Sequence, residues 1–132
     1  MREIKFRAWD KTINYMDDRV RISHFKDSIE VLDSWSTWRE LKKDEYEIMQ
    51  YTGKKDINGV EIYEGDIVKV TDDGDVDFPD GGIGVIGGLE DLYMWYVYGD
   101  VDNALFDITQ SYEIEVIGNI YENPDLLGRT NL

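Results

Sequence analysis

The 132-residue chain has no cysteine, one histidine and two prolines. Without cysteine it forms neither disulfides nor thiolate metal sites. That composition fits a reducing compartment. The single histidine, His24, rules out a Cys–His pair and would have to serve any Ser–His–Asp triad. No G-x-S-x-G elbow accompanies it, and no G-x-x-x-x-G-K-[ST] phosphate loop is present. No apolar run approaches the roughly 18–20 residues that cross a bilayer. The opening MREIKFRAWD is charged and alternating, without the apolar stretch of a signal peptide. These absences predict a cytoplasmic protein that does not contact membranes and carries no cofactor.

Basic residues are scarce over much of the chain. Residues 1–55 carry 12 Lys/Arg and 11 Asp/Glu, a charge of +1, whereas residues 56–132 carry 2 and 18, a charge of -16. Together they give the formal net charge of -15. So acidic a C-terminal part repels phosphate backbones, which argues against direct nucleic-acid binding. It leaves two readings: a solvated, solubilising face, or an acidic surface for a basic partner or a nucleic-acid mimic.

What is present is β patterning. With 42% hydrophobic residues the chain can bury a small core. Ile4, Phe6 and Ala8 alternate with Glu3, Lys5 and Arg7, and turn residues Asp10 to Asn14 lead to Tyr15 and Met16. That order predicts a β-hairpin. Ser28 to Leu32 reads as a short strand. Ser34 or Ser36, followed by Trp35, Trp38 and Leu41 at helical spacing, predicts a short helix near 36–43. Beyond Glu45 the chain reads as strands at 45–51, 60–63, 67–70, 84–87, 92–98 and 112–121. Gly118 marks a bulge or close approach, and Asn123-Pro124 starts a final helical turn.

The densest stretch is QYTGKKDINGVEIYEGDIVKV, Gln50 to Val70. Thr52-Gly53, Asp56 to Gly59 and Glu64-Gly65-Asp66 are turn formers. Val60, Ile62, Ile67, Val68 and Val70 are strand residues. Each position thus has a folding role, and short strands with tight turns suit a small SH3-type barrel. REIKFRAWD, MQYTGKKDINGVEIYEGDIVKV and YEIEVIGNIYENPDLL, in that order, resemble the YopX-like family of small proteins encoded by phages and prophages of Gram-positive bacteria. The resemblance implies an SH3-type β-barrel in the C-terminal part and no established activity. The expected architecture is mainly β. Residues 1–50 form a hairpin and short-helix segment packed on a barrel of residues 51–132.

Candidate functional residues are few. Asp73, Asp75 and Asp77 alternate like the start of a calcium loop, but Phe78 holds the glycine position and Gly84 the bidentate glutamate position. The Gly81–Gly88 region is glycine-rich but precedes a strand, which argues for turns rather than a nucleotide loop. LYMWYVY, Leu92 to Tyr98, puts Tyr93, Trp95 and Val97 on one face and Met94, Tyr96 and Tyr98 on the other. One face belongs to the core. The other is covered by the N-terminal segment or is an interface, either with a partner protein or in self-association. The leading expectation is a non-enzymatic, protein-binding phage accessory protein using Asp73, Asp75, Asp77, Tyr96 and Tyr98. The alternatives are a small-ligand or divalent-cation protein using loop 72–80, and an acidic DNA mimic.

Overall fold

The computed structural model describes residues 3–22, 27–71, 82–89, 94–100 and 103–129. The chain is mainly β and divides into two compact units, Met1–Tyr51 and Thr52–Leu132.

In the first unit, β1 (Phe6–Asp10) and β2 (Tyr15–Asp17) form the expected hairpin, with Ala8 opposite Asp17 and Asp10 opposite Tyr15. On its other side β1 pairs antiparallel with β6 (Tyr46–Lys55), from Phe6 opposite Gln50 to Asp10 opposite Tyr46. A second sheet has the order β3 (Val20–Ile22), β4 (Ser28–Leu32), β5 (Trp38–Lys42). Strand alternation sends Ile29, Val31 and Leu41 to one face. They pack with Ala8, Val20 and Tyr46 as the core of this unit. On the opposite face Arg21 bonds Glu30 at 3.2 Å and lies 3.9 Å above the Trp38 ring.

The helix expected near 36–43 is not formed. Residues 38–42 are β5, followed by a single 3-10 turn, Lys43–Glu45. The three-residue spacing of Trp35, Trp38 and Leu41 is coincidental, because Leu41 is buried while Trp35 lies outside the strand on the preceding turn. Ser34 and Ser36 cap nothing. Instead Asp33 organises a hairpin turn, its Oδ1 accepting the N–H groups of Trp35 and Thr37, both at 2.9 Å.

In the second unit the last residues of β6 lead to β7 (Glu61–Tyr63), and β7 to β8 (Asp66–Thr71). Then follow β9 (Gly82–Leu89), β10 (Met94–Gly99), β11 (Asn103–Ala104), helix α1 (Leu105–Ser111) and β12 (Glu113–Asn119). A 3-10 segment, Pro124–Arg129, comes last, as Asn123-Pro124 predicts. Strand β7 pairs with β6, while strands β8 to β12 form a five-stranded sheet of order β11-β10-β9-β8-β12. Its core is Ile62, Val68, Val70, Ile86, Val97, Leu105, Ile108 and Ile114. The register of β12 on β8 shifts between Val116 and Gly118, the bulge expected there. Helix α1 has no counterpart in the sequence reading, yet it supplies Leu105 and Ile108 to this core.

The polar residues of Gln50 to Val70 do perform folding work. Thr52 Oγ1 donates to the Ile62 carbonyl at 2.7 Å. Asp66 Oδ2 accepts the Tyr63 N–H at 2.7 Å. The buried Asp56 accepts three backbone N–H groups: Asn58 and Val60 on Oδ1 at 2.9 and 2.8 Å, and Val116 on Oδ2 at 2.9 Å. Gly59 closes this turn with a φ of 81°, the left-handed region that glycine enters most easily.

Candidate functional site

Strand β10 carries the two candidate tyrosines. Trp95 and Val97 point into the core of the second unit, with Val97 fully buried. Period-2 alternation then sends Met94, Tyr96 and Tyr98 to the other face. Met94 and Tyr98 are exposed at 39% and 37%, and Tyr96 is half-buried. The Tyr96 and Tyr98 rings lie 4.8 Å apart at 48° to one another. This tilted arrangement is one that aromatic pairs favour.

Tyr98 is held from beneath. Val85 lies opposite it on β9, and Gly87 lies opposite Tyr96. A Cβ at Gly87 would meet Tyr98 Cε2 at 2.9 Å and Cδ2 at 3.2 Å. Glycine there makes room for the ring, which covers the bare strand diagonally. The Tyr98 hydroxyl donates to the Gly88 carbonyl at 3.0 Å. The ring is therefore fixed on the sheet while more than a third of the residue stays open to solvent.

A second exposed aromatic escaped the sequence reading. Trp35 is 87% exposed at the tip of the β4–β5 turn. The turn is tightly bonded, since Asp33 N–H donates to the Thr37 carbonyl at 2.9 Å and Ser36 N–H to the Asp33 carbonyl at 3.1 Å. Ser36 closes it with a φ of 60°. The turn at Asp56 has the same scheme, with Asp56 N–H to the Val60 carbonyl at 2.8 Å and Gly59 N–H to the Asp56 carbonyl at 3.0 Å. Trp35 thus occupies the position of Asn58. The readable signal was an aspartate three residues before a left-handed position, shared by DSWST and DINGV.

The buried carboxylates described are structural. Asp10 is buried and accepts hydrogen bonds from the Thr12 side chain, the Thr12 N–H and Arg39. Burial opposes its ionisation, but the Thr12 and Arg39 hydrogen bonds outweigh burial and hold the carboxyl below its ordinary 3.8. Asp17 accepts the Arg19 N–H at 2.9 Å. Among the described residues no three His, Cys, Asp or Glu side chains cluster as a metal site. His24, Tyr93, Asp73, Asp75 and Asp77 lie outside the described residues. A groove of ≈ 260 Å³ runs along Ile57, Asn58, Lys69, Thr71, Glu113, Ile114 and Glu115. Asn58 Nδ2 donates across it to Glu115 at 3.2 Å. Its polar lining is one ammonium, two carboxylates, an amide and a hydroxyl.

Among the described residues no helix is long and apolar enough to cross a membrane. The second unit holds 4 basic and 18 acidic residues, a charge of -14. The surface that this arrangement offers is therefore aromatic on β10, within a strongly anionic unit.

None of the curated proteins matches this chain. Among solved structures, protein EF1440 from Enterococcus faecalis is similar, with a TM-score of 0.61 and 28% identity over 96% of this chain and 99% of that one. The family model described as YopX protein matches residues 5–128, nearly the whole chain. The chain therefore belongs to the YopX protein family.

Proposed function

We propose that this protein is a non-enzymatic accessory protein of a phage or prophage, working in the bacterial cytoplasm by binding another protein through the outer face of β10. The carrying observation is the placement of Met94, Tyr96 and Tyr98 on the non-core face, with Met94 and Tyr98 exposed. Large aromatic and methionine side chains are what protein interfaces enrich. The second unit is proposed to be an SH3-type barrel. What supports this is its run of short antiparallel strands with tight turns, in which the last strand, β12, pairs with β8 near the start.

The test is site-specific crosslinking in the bacterial host, with a benzophenone amino acid at Met94. A discrete protein adduct is expected. It should disappear when Tyr98→Ser is added to that chain and the melting temperature stays that of wild type, and the adducted protein, once purified, should bind the wild-type chain. Adduct formation that ignores the Tyr98 substitution would remove β10 from the binding surface.

A further inference from the structure

The chemistry of the β10 face also specifies what its partner presents. We propose that this face recognises arginine-bearing segments of its partner, the guanidinium stacking on the Tyr96–Tyr98 pair. This inference rests on the binding reading above and narrows it to a partner class.

Three observations carry it. First, the Tyr98 hydroxyl proton is committed to the Gly88 carbonyl. What Tyr98 offers outward is its π surface and the lone pairs of its oxygen. Both are electron-rich, so they suit a cation or a donor and do not suit a carboxylate or a carbonyl. Second, the ring is positioned in advance. Its Cδ2–Cε2 edge is seated against Gly87, and the Tyr96 ring stands tilted beside it. A planar guanidinium can then stack without first ordering the rings, which lowers the entropy lost on binding. Third, the unit around the pair carries 4 basic residues against 18 acidic ones. A field of that sign concentrates cationic segments and repels acidic ones.

Contacts within the chain also set cations over aromatic rings. Lys5 lies 5.0 Å from the Tyr51 ring centre, Lys54 5.3 Å from that of Phe106, and Arg21 3.9 Å from that of Trp38. The arginine makes the shortest approach. Guanidinium is planar and more weakly hydrated than ammonium, so it loses less on stacking against a ring.

Three short peptides of matched sequence, bearing arginine, lysine or citrulline, serve as probes of the full-length chain. Citrulline keeps the planar shape and removes the charge. Titration calorimetry at low and high ionic strength should rank them arginine, lysine, citrulline. Salt should weaken the two cationic peptides together, leaving the arginine preference in place because stacking is short-ranged. Tyr98→Leu should weaken the arginine peptide about three- to fivefold, and Tyr98→Phe by about twofold or less. Should Tyr98→Leu fail to fold, the Tyr98 ring resonances of the wild-type chain still report, and they should shift on addition of the arginine peptide.

An arginine peptide that binds no tighter than its citrulline match would overturn the proposal. So would unmoved Tyr98 resonances, or a folded Tyr98→Leu chain that binds arginine like wild type. If the otherwise wild-type chain still gives the position-94 adduct in the host, only the arginine preference falls. If it gives none, the binding face falls with it.

Discussion

Replacing Asp56 separates a folding carboxylate from a functional one. Its side chain accepts three backbone N–H groups, two inside its own turn and one from Val116 on β12. Asn58 and Val60 are exposed, so water can satisfy their N–H groups once the carboxylate is gone. Losing such a cap costs about 1 kcal/mol. The Val116 N–H lies on a half-buried strand, and an unsatisfied donor there costs about 1–3 kcal/mol more. Asp56→Ala should therefore destabilise the second unit by about 2–4 kcal/mol. Asp33→Ala removes the same two turn bonds without the third, so it should cost the first unit only about 1 kcal/mol. Asp56→Asn is the sharper variant. One amide oxygen cannot serve both the turn and Val116, and turning the amide places a donor against a donor. It should lose nearly as much as the alanine variant, although it keeps the size and most of the shape. Urea unfolding followed by circular dichroism gives each value. An Asp56→Asn chain within about 0.5 kcal/mol of wild type would refute the three-bond reasoning.

Asp10 makes a pH-dependent contribution. Its folded-state value lies below the ordinary 3.8, so its stabilisation is complete above that value and is lost as the pH falls through the folded one. Asp10→Asn should thus be destabilised at pH 7, and its unfolding midpoint should converge on that of wild type at the acid end of a titration. Trp35→Ala should change stability by less than about 0.5 kcal/mol, since the indole packs on little. It should also remove the most water-exposed component of the tryptophan emission. Ile108→Ala should cost about 2–5 kcal/mol, because the side chain is fully buried in the core of the second unit. A smaller loss in urea unfolding would mean that α1 is peripheral to that core.

Strands were legible where burial alternates, as in β1, β4 and the start of β12, because a half-buried strand writes its two faces into the sequence, and in β8 through its apolar run. The turn at Asp56 was legible too, since Asn58-Gly59 marks it. The turn at Asp33 was not. A serine holds its left-handed position in place of the usual glycine, and the neighbouring serines imitate helix caps. Helix α1 gave no start signal, as its N-cap is Ala104, with no side-chain cap hydrogen bond. It is only seven residues long, and its two buried positions, Leu105 and Ile108, make one contact stripe rather than a period. At the candidate site, the alternation of β10 indicated that Tyr96 and Tyr98 share a face. The seat of Tyr98 on Gly87 depends on the register between two strands, which no local pattern carries.

The two aspartate turns also bear on how this molecule can change over time. Both hold their backbone with the aspartate and a left-handed closing residue; Asn58 in the one still donates to Glu115, whereas Trp35 in the other is 87% exposed. Substitutions at Trp35 are nearly silent for folding, so the stability threshold filters them weakly. Selection there acts mainly on what the side chain touches outside the molecule. The tip of the β4–β5 turn is thus a place where related chains can exchange one contact for another in a single step, without compensating changes in the scaffold.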